Sequence, residues 1–123
     1  MKSVLLDTNF ILTCIKEKID LFHDIKMKGI EILIPSQVIR EIEKISKTNK
    51  KFSKDAEVAL KLLKVNKFKK IDLEESYVDK GIKRFADKNK EIIIATLDRE
   101  LKVKLKNKLI TIRRKRIEIV SFL

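Results

Sequence analysis

The fold is decided by residues 4–12, Val-Leu-Leu-Asp-Thr-Asn-Phe-Ile-Leu, in which two apolar runs flank a polar triplet. Unbroken apolar runs of this length are typical of strands buried on both faces, as in a parallel sheet. The same pattern returns at residues 92–96, Ile-Ile-Ile-Ala-Thr, and predicts a second strand of this kind. An acid follows each run, Asp7 directly and Asp98 after Thr96 and Leu97.

Outward from these two runs, the apolar period alternates between strand and helix along the chain. Gly29 is expected to end the first predicted helix, and Ser36 is expected to be the N-cap of the second. The predicted helices span 19–28, 36–47, 53–65, 74–88 and 98–107, and the further predicted strands span 30–34, 68–73, 109–112 and 117–120. This alternation predicts an α/β sandwich around a mostly parallel sheet.

Length and charge narrow the class of protein. The 123 residues suit a single domain, 1–123, and 30 basic against 18 acidic residues give a net charge of +12. That charge favours an anionic partner, with nucleic acid ahead of a membrane surface. No apolar run approaches the roughly 18 to 20 residues of a membrane span. The N-terminus lacks the pattern of a signal peptide and Cys14 is the only cysteine, so we expect a cytoplasmic protein.

Two acids fall at strand ends, and helical geometry selects a third. Functional groups collect at the carboxyl ends of parallel strands, which favours Asp7 and Asp98, although Asp also caps turns at such junctions. Helical residues advance by about 100° each, so on the 36–47 helix Glu41 lies about 60° from the inward-facing Val38. Glu43 lies about 140° away and is expected to face water.

The same arithmetic selects a fourth acid on the 74–88 helix. Relative to the inward-facing Ile82, Asp79 lies at about 60°, whereas Lys80 and Asp87 lie at about 160° and 140°. Asp79 is therefore expected at the edge of the buried face, and the other two side chains are expected to face solvent. Taken singly, an acid at such an edge is more often a salt-bridged boundary residue than a functional one.

The four acids together predict a metal site if the fold brings them to one crevice. Mutual repulsion among Asp7, Glu41, Asp79 and Asp98 would raise their pKa values and cost stability unless cations neutralise them. An all-oxygen cluster suits a hard cation, Mg²⁺ or Mn²⁺. Such an ion activates water and shields phosphate charge during phosphodiester cleavage.

Basic residues are concentrated in the last quarter of the chain. Eight basic residues and no acid lie between Leu101 and Ile117, and four of them are consecutive: Arg113, Arg114, Lys115 and Arg116. We expect this cluster, between two predicted strands, to bind a nucleic-acid backbone, because guanidinium groups bind phosphates bidentately. A solvated face is the alternative.

Five lysines between Lys44 and Lys54 form a second candidate clamp. The aromatic residues are Tyr77 and six Phe, most of which suit core positions, so no base-stacking platform is predicted.

Four blocks of sequence, in this order and spacing, carry a family resemblance: Asp7-Thr8-Asn9, Pro35 to Ile42, Asp79-Lys80-Gly81-Ile82, and Ala95 to Leu101. With them the chain resembles the PIN-domain nucleases over nearly its whole length. It looks most like their archaeal and eukaryotic rRNA-processing branch, with VapC-like toxin nucleases as the other close relatives. The resemblance implies a three-layer α/β/α domain with a mostly parallel central sheet.

By this resemblance, Asp7, Glu41, Asp79 and Asp98 form a catalytic, metal-binding cluster for Mg²⁺ or Mn²⁺. Thr96 lines the site, and Asn9 orders the loop around Asp7. The implied activity is metal-dependent endonucleolytic cleavage of RNA that leaves a 3′-hydroxyl and a 5′-phosphate. The rRNA-processing branch often carries a second Asp where this chain has Lys80, which puts a second metal position in doubt.

Several alternatives stay open at this point. A VapC-like toxin nuclease would need an antitoxin encoded beside it, and an rRNA-processing role would bring ribosome-assembly partners. PIN relatives often form homodimers. Lys80 and the charge also suit a PIN-fold RNA-binding or assembly module with weak catalysis. A phosphotransferase with Asp7 as nucleophile is disfavoured, because such enzymes usually carry a second Asp where this chain has Asn9.

Overall fold

The computed structural model describes residues 2–120. The strands are β1 (Lys2–Leu6), β2 (Ile30–Pro35), β3 (Lys69–Ile71), β4 (Ile93–Ala95), β5 (Leu109–Arg113) and β6 (Arg116–Val120). The helices are α1 (Thr8–Lys16), α2 (Leu21–Met27), α3 (Ser36–Thr48), α4 (Ser53–Val65), α5 (Val78–Lys88) and α6 (Arg99–Lys104). The predicted domain 1–123 stays a prediction, and Met1 and 121–123 lie outside the described residues.

One sheet joins all six strands in the order β3-β2-β1-β4-β5-β6. The pairings are parallel except for the antiparallel β5–β6 hairpin. The chain builds outward from β1 on one side and from β4 on the other, so the strand order reverses between these two neighbours. In open α/β sheets, ligands bind at the carboxyl ends of the strands at such a switch point. The fold therefore directs attention to the residues that follow Leu6 and Ala95.

Side chains that alternate along the central strands divide the core between the two faces of the sheet. Val4 and Leu6 on β1 belong to a buried cluster with residues of α1, α2, α3 and α4. Leu5, between them, belongs to a second cluster with residues of α5 and α6. Because strand side chains alternate between faces, two separate cores mean helices on both sides of one sheet. The predicted three-layer α/β/α arrangement with a mostly parallel sheet is confirmed.

The element that follows β1 differs from the sequence prediction. Phe10 and Ile11 belong to α1 and not to a strand, because Asp7 caps a helix that begins at Thr8. This helix buries Phe10, Ile11 and Cys14 against the first core. An apolar run buried in a helix cannot be told from a buried strand by periodicity alone.

Two predicted helix starts also differ. Ser36 is the first residue of α3, Pro35 occupies the N-cap, and the Ser36 hydroxyl donates to Gln37 Oε1 at 3.3 Å instead of capping the helix. Helix α5 begins at Val78 and not at Glu74, because Glu74 has a left-handed backbone with φ of 57°. The predicted stop at Gly29 agrees with the structure: α2 ends just before it, and its φ is 72°. Among residues 2–120, no helix is long and apolar enough to cross a bilayer.

Candidate active site

A chain of hydrogen bonds joins the carboxyl ends of β1 and β4. Asp7 N donates to the Ala95 carbonyl at 3.0 Å, which extends the β1–β4 pairing by one residue. The fully buried Thr96 hydroxyl donates to Asp7 Oδ2 at 2.8 Å and accepts from Asp98 N at 3.1 Å. One hydroxyl thus connects the two acids that follow these strands.

Both strand-end acids are also helix N-caps. The capping role considered as the alternative to a functional role is therefore present in the structure. Asp7 Oδ1 accepts from Thr8 N at 2.8 Å at the start of α1. Asp98 Oδ1 accepts from Glu100 N and Leu101 N at the start of α6. Carboxylates are favoured at helix N-termini by the exposed N–H groups and the helix dipole. Each carboxylate oxygen can accept more than one bond, so capping does not prevent contact with a ligand.

Two helices bring the remaining acids to the same place. Glu41 lies in the middle of α3, and Asp79 is the second residue of α5. With Asp7 and Asp98 they line one pocket of about 470 Å³. The residues that line it are Asp7, Asn9, Glu41, Tyr77, Val78, Asp79, Lys80 and Asp98. The four predicted acids therefore share one crevice at the switch point.

Burial and crowding raise the pKa values of two of these acids. Burial is the largest cause of the increase in the pKa of Asp7 to about 6, and the charges of Asp79 and Glu41 add to it against the opposing bonds from Thr96 and Thr8. The pKa of Asp79 is also raised, first by burial and then by the charge of Asp98, a hydrogen bond with it, and the charges of Glu41 and Glu100. The pocket therefore concentrates negative charge at an energetic cost.

The donor set of the pocket fits a hard divalent cation. Its ligand-type groups are carboxylate oxygens and the Asn9 amide, and the raised pKa values mark repulsion that a cation would relieve. Among residues 2–120, however, no three His, Cys, Asp or Glu side chains are arranged to hold one ion. Direct coordination by three of the acids would therefore require their side chains to rotate towards one another.

The two residues predicted to support the cluster are positioned differently from one another. Asn9 is exposed and lines the pocket, but it belongs to the first turn of α1 and not to a loop. Its predicted role in ordering the loop around Asp7 stays a prediction. Thr96 is fully buried and reaches the acids through the hydrogen bonds described above, while the pocket wall itself is formed by its partners.

Lys80 and Tyr77 also line the pocket, and neither residue is predicted there from the sequence. Lys80 was expected to face solvent, because the angular argument treats a helix as an endless cylinder. In the first turn of α5 no earlier turn covers the helix end, and side chains lean toward the N-terminus. Lys80 thereby reaches the pocket. Glu43 and Asp87 are exposed as predicted, and Asp87 pairs with Lys83 at 2.6 Å.

The basic cluster lies at the tip of the β5–β6 hairpin. Arg113 is three residues beyond Ile110, which pairs with Ala95, so it extends about 10 Å past the end of β4 toward the carboxyl edge. Beside it, Lys102 Nζ donates to Thr111 Oγ1 at 3.0 Å. Burial and then the charges of Arg99 and Arg113 lower the pKa of Lys102.

All four side chains of this cluster, Arg113, Arg114, Lys115 and Arg116, are exposed. Arg113 Nε lies 3.7 Å from the Glu118 carboxylate. The hairpin thus projects positive charge from the same edge of the sheet that carries the acidic pocket.

The six-stranded sheet and the acidic pocket at its switch point define an α/β domain built around a cluster of carboxylates. Residues 4–117 match the family described as PIN like domain. Ribonuclease VapC4 of Methanocaldococcus jannaschii is 34% identical over 109 residues, which cover 85% of this chain and 83% of that protein. The chain belongs to the PIN-domain family, as the resemblance of its motifs predicts.

Solved structures with the same fold include a PIN domain endonuclease and a VapBC protein. The PIN domain endonuclease Utp24 superimposes with a TM-score of 0.81 at 24% identity, covering 98% of this chain and 95% of that one. VapBC2 from Rickettsia felis, bound to a DNA fragment from its promoter, gives a TM-score of 0.58 at 14% identity, covering 89% and 98%. At these sequence identities, the two similarities show only that the fold is shared.

The raised pKa of Asp7 predicts that the metal-free protein becomes more stable when this charge is removed. The folded protein binds the Asp7 proton more tightly than the unfolded chain does, so its stability falls as pH rises from 3.8 through about 6. In EDTA at pH 7.5, Asp7→Asn should raise the free energy of unfolding by up to about 3 kcal/mol. The gain should shrink as pH falls from about 6 to 4.

Urea unfolding of both proteins across this pH range measures the effect. The matched control is Asp20→Asn, because Asp20 is an exposed N-cap of α2 that accepts a backbone bond from His23 in the same way. This variant should show no such pH-dependent gain. A loss of stability in Asp7→Asn at pH 7.5 would contradict the electrostatic account of the pocket.

Proposed function

We propose that this protein is a metal-dependent endoribonuclease that cleaves RNA at the pocket formed by Asp7, Glu41, Asp79 and Asp98. One observation carries the proposal: a protein of net charge +12 gathers four carboxylates in one pocket at the switch point of its sheet. Kinship with a protein named as a ribonuclease supports RNA as the substrate. The proposed location is the cytoplasm.

The four acids would hold Mg²⁺ or Mn²⁺. When bound, the cation supplies an activated water and neutralises charge on the scissile phosphate. The chain contributes the positioning. Thr96 holds the Asp7 carboxylate through its hydroxyl and supports the backbone of Asp98, so two of the acids are oriented by one buried group. Glu41 and Asp79 approach from separate helices and complete the set of oxygen donors.

The basic hairpin tip would bind the RNA backbone. Its four exposed basic residues extend from the edge of the sheet that carries the acids, so one RNA strand could contact both. The turn itself supports this role. Arg114 and Lys115 are its two central residues, and both have left-handed backbones with φ of 52° and 59°. Asn-Gly is the favoured pair for such a turn, and strained residues that persist cluster at functional sites.

Two biological roles are compatible with this activity. We propose rRNA processing first, as the motif resemblance implies, with ribosome-assembly partners. A toxin role with an antitoxin partner is the second candidate, favoured by the 34% identity to Ribonuclease VapC4. The neighbouring reading frame separates them, because a toxin requires a small antitoxin gene beside it. The third alternative is a PIN-fold RNA-binding module with weak catalysis, and the cleavage assay below distinguishes it from the two nuclease roles.

Cleavage of labelled RNA tests the acidic pocket directly. With Mn²⁺ or Mg²⁺, the wild-type protein should cut RNA, and Glu41→Gln should reduce the rate at least about 100-fold, because it removes one charged donor from the site. Glu43→Gln is the matched control. Glu43 lies two residues further along α3, is exposed, and is not part of the pocket wall.

Equal rates for the two variants would contradict the proposed site. A wild-type protein that binds RNA but does not cut it with either metal would instead favour the binding-module alternative.

The strained turn predicts a variant that folds better and binds RNA worse. Arg114→Asn/Lys115→Gly should raise the free energy of unfolding by about 1 to 3 kcal/mol, because the new residues tolerate left-handed φ. On single-stranded RNA, loss of two phosphate contacts should reduce the slope of log affinity against log salt by about 1.4. Thermal unfolding and a salt series of RNA-binding isotherms measure the two effects.

The control for this double variant is Lys16→Asn/Lys18→Gly. Lys18 also has a left-handed backbone, with φ of 58°, and follows α1, which leads away from the carboxyl edge. This control removes the same charge and relieves strain, but it should leave the salt slope unchanged. An unaltered salt slope in the hairpin variant would overturn the role proposed for Arg114 and Lys115.

A further inference from the structure

Tyr77 stands out as an aromatic side chain that the core does not use. It is 68% exposed, and it is the only aromatic among the exposed large hydrophobic residues of the described chain, 2–120. It also lines the acidic pocket. The other exposed large hydrophobic residues are Met27, Val58, Val65, Val103 and Ile119. An aromatic ring left in water beside a site for a polyanion needs an explanation that packing does not supply.

The backbone ties the Tyr77 ring to the acidic cluster. Tyr77 is the N-cap of α5, with extended backbone angles, and its carbonyl accepts from Gly81 N at 2.9 Å. Gly81 lies so close to Leu73 that a Cβ there would be 2.9 Å from its side chain. The start of α5 is therefore packed closely against Leu73. Because Asp79 follows two residues later in the same turn, the backbone positions from which the ring and this carboxylate extend are fixed relative to one another.

Lys80 supplies a positive charge beside the ring. Its Nζ lies 5.3 Å from the centroid of the Tyr77 ring, within the range of a cation–π contact, and Lys80 also lines the acidic pocket. The first turn of α5 therefore presents three groups next to one another: an aromatic face, a cation and an acid. A nucleotide offers partners for the first two of these groups, since its base stacks on aromatic rings and its phosphate attracts cations.

We propose that Tyr77 is a stacking platform for a nucleobase next to the scissile phosphate, and that Lys80 binds a phosphate of the same RNA strand. This inference rests on the proposed function, because it assigns a base-binding subsite to the proposed RNA-cleaving pocket. Stacking of this kind tolerates any base, so the subsite would anchor single-stranded RNA and would not read its sequence.

The composition of the chain permits a direct test, because Tyr77 is the only tyrosine. Incorporation of 3-fluorotyrosine therefore gives one ¹⁹F resonance that belongs to this ring. The protein is labelled in an Asp98→Asn background, with Mg²⁺ present, and titrated with a short single-stranded oligoadenylate. The matched ligand is the same oligonucleotide with abasic residues, which keeps the phosphates and lacks the bases. Electrophoresis checks that the RNA stays intact.

We expect the resonance to shift with oligoadenylate and to move much less with the abasic ligand. In the same background, Tyr77→Ala should weaken oligoadenylate binding about 10-fold. Its affinity for the abasic ligand should not change, and Tyr77→Phe should bind like the parent. Met27→Ala is the control, because Met27 is 74% exposed at the end of α2, near the start of β2 and so at the opposite edge of the sheet.

A resonance that does not move at saturating oligoadenylate would contradict the proposal that Tyr77 stacks on a base. The exposed ring would then be assigned to a protein-contact surface. Equal affinity of Tyr77→Ala and its parent for oligoadenylate would overturn the proposal as well. The proposed function can fail separately. If the wild-type protein binds RNA with a base-dependent ¹⁹F shift but never cuts it, the subsite stands and the nuclease proposal falls.

Discussion

The hydrogen bond from the buried Thr96 hydroxyl to Asp7 is the interaction on which the site depends. It exists because β1 and β4 are parallel neighbours whose carboxyl ends meet where the strand order reverses. The same hydroxyl accepts from Asp98 N, so one side chain relates two acids that lie 91 positions apart in the sequence. Helices α1 and α6 begin directly after these two acids. The junction therefore connects the central sheet to the acidic pocket.

Charge in this molecule is arranged as a contrast between a basic surface and an acidic pocket. The pocket holds four carboxylates at a cost that the raised pKa values of Asp7 and Asp79 reveal. Lys80 is the one basic residue among those that line this pocket, and the hairpin tip extends four other basic residues into solvent. The separation is what a protein needs if it holds a polyanion and binds a cation at one edge.

Much of this could be predicted from the sequence, because the patterns involved are local. The unbroken apolar runs predicted β1 and β4 and the acids after them, and helical periodicity selected Glu41 and Asp79. The failures have physical causes. Phe10 and Ile11 were not predicted to be helical, because a buried apolar run has no period. Lys80 was expected to face solvent, because the angular argument leaves out the lean of side chains toward the N-terminus in the first turn of a helix. Tyr77 was considered only as one of the aromatic residues, and no local pattern placed it at the pocket. The left-handed turn at Arg114 and Lys115 contains neither Gly nor Asn, so nothing in it signalled its geometry.

Binding of Mn²⁺ to the protein alone tests the central claim most directly, because it requires neither RNA nor turnover. Free Mn²⁺ can be followed by its electron paramagnetic resonance signal at pH 7.5, with the wild-type protein compared with Asp7→Asn/Asp98→Asn. The acidic pocket predicts that the wild-type protein removes Mn²⁺ from solution and that the double variant, checked for its fold by circular dichroism, does not. Equal uptake of Mn²⁺ by the two proteins would contradict the account, because the cation would then be held away from the carboxylates joined by Thr96.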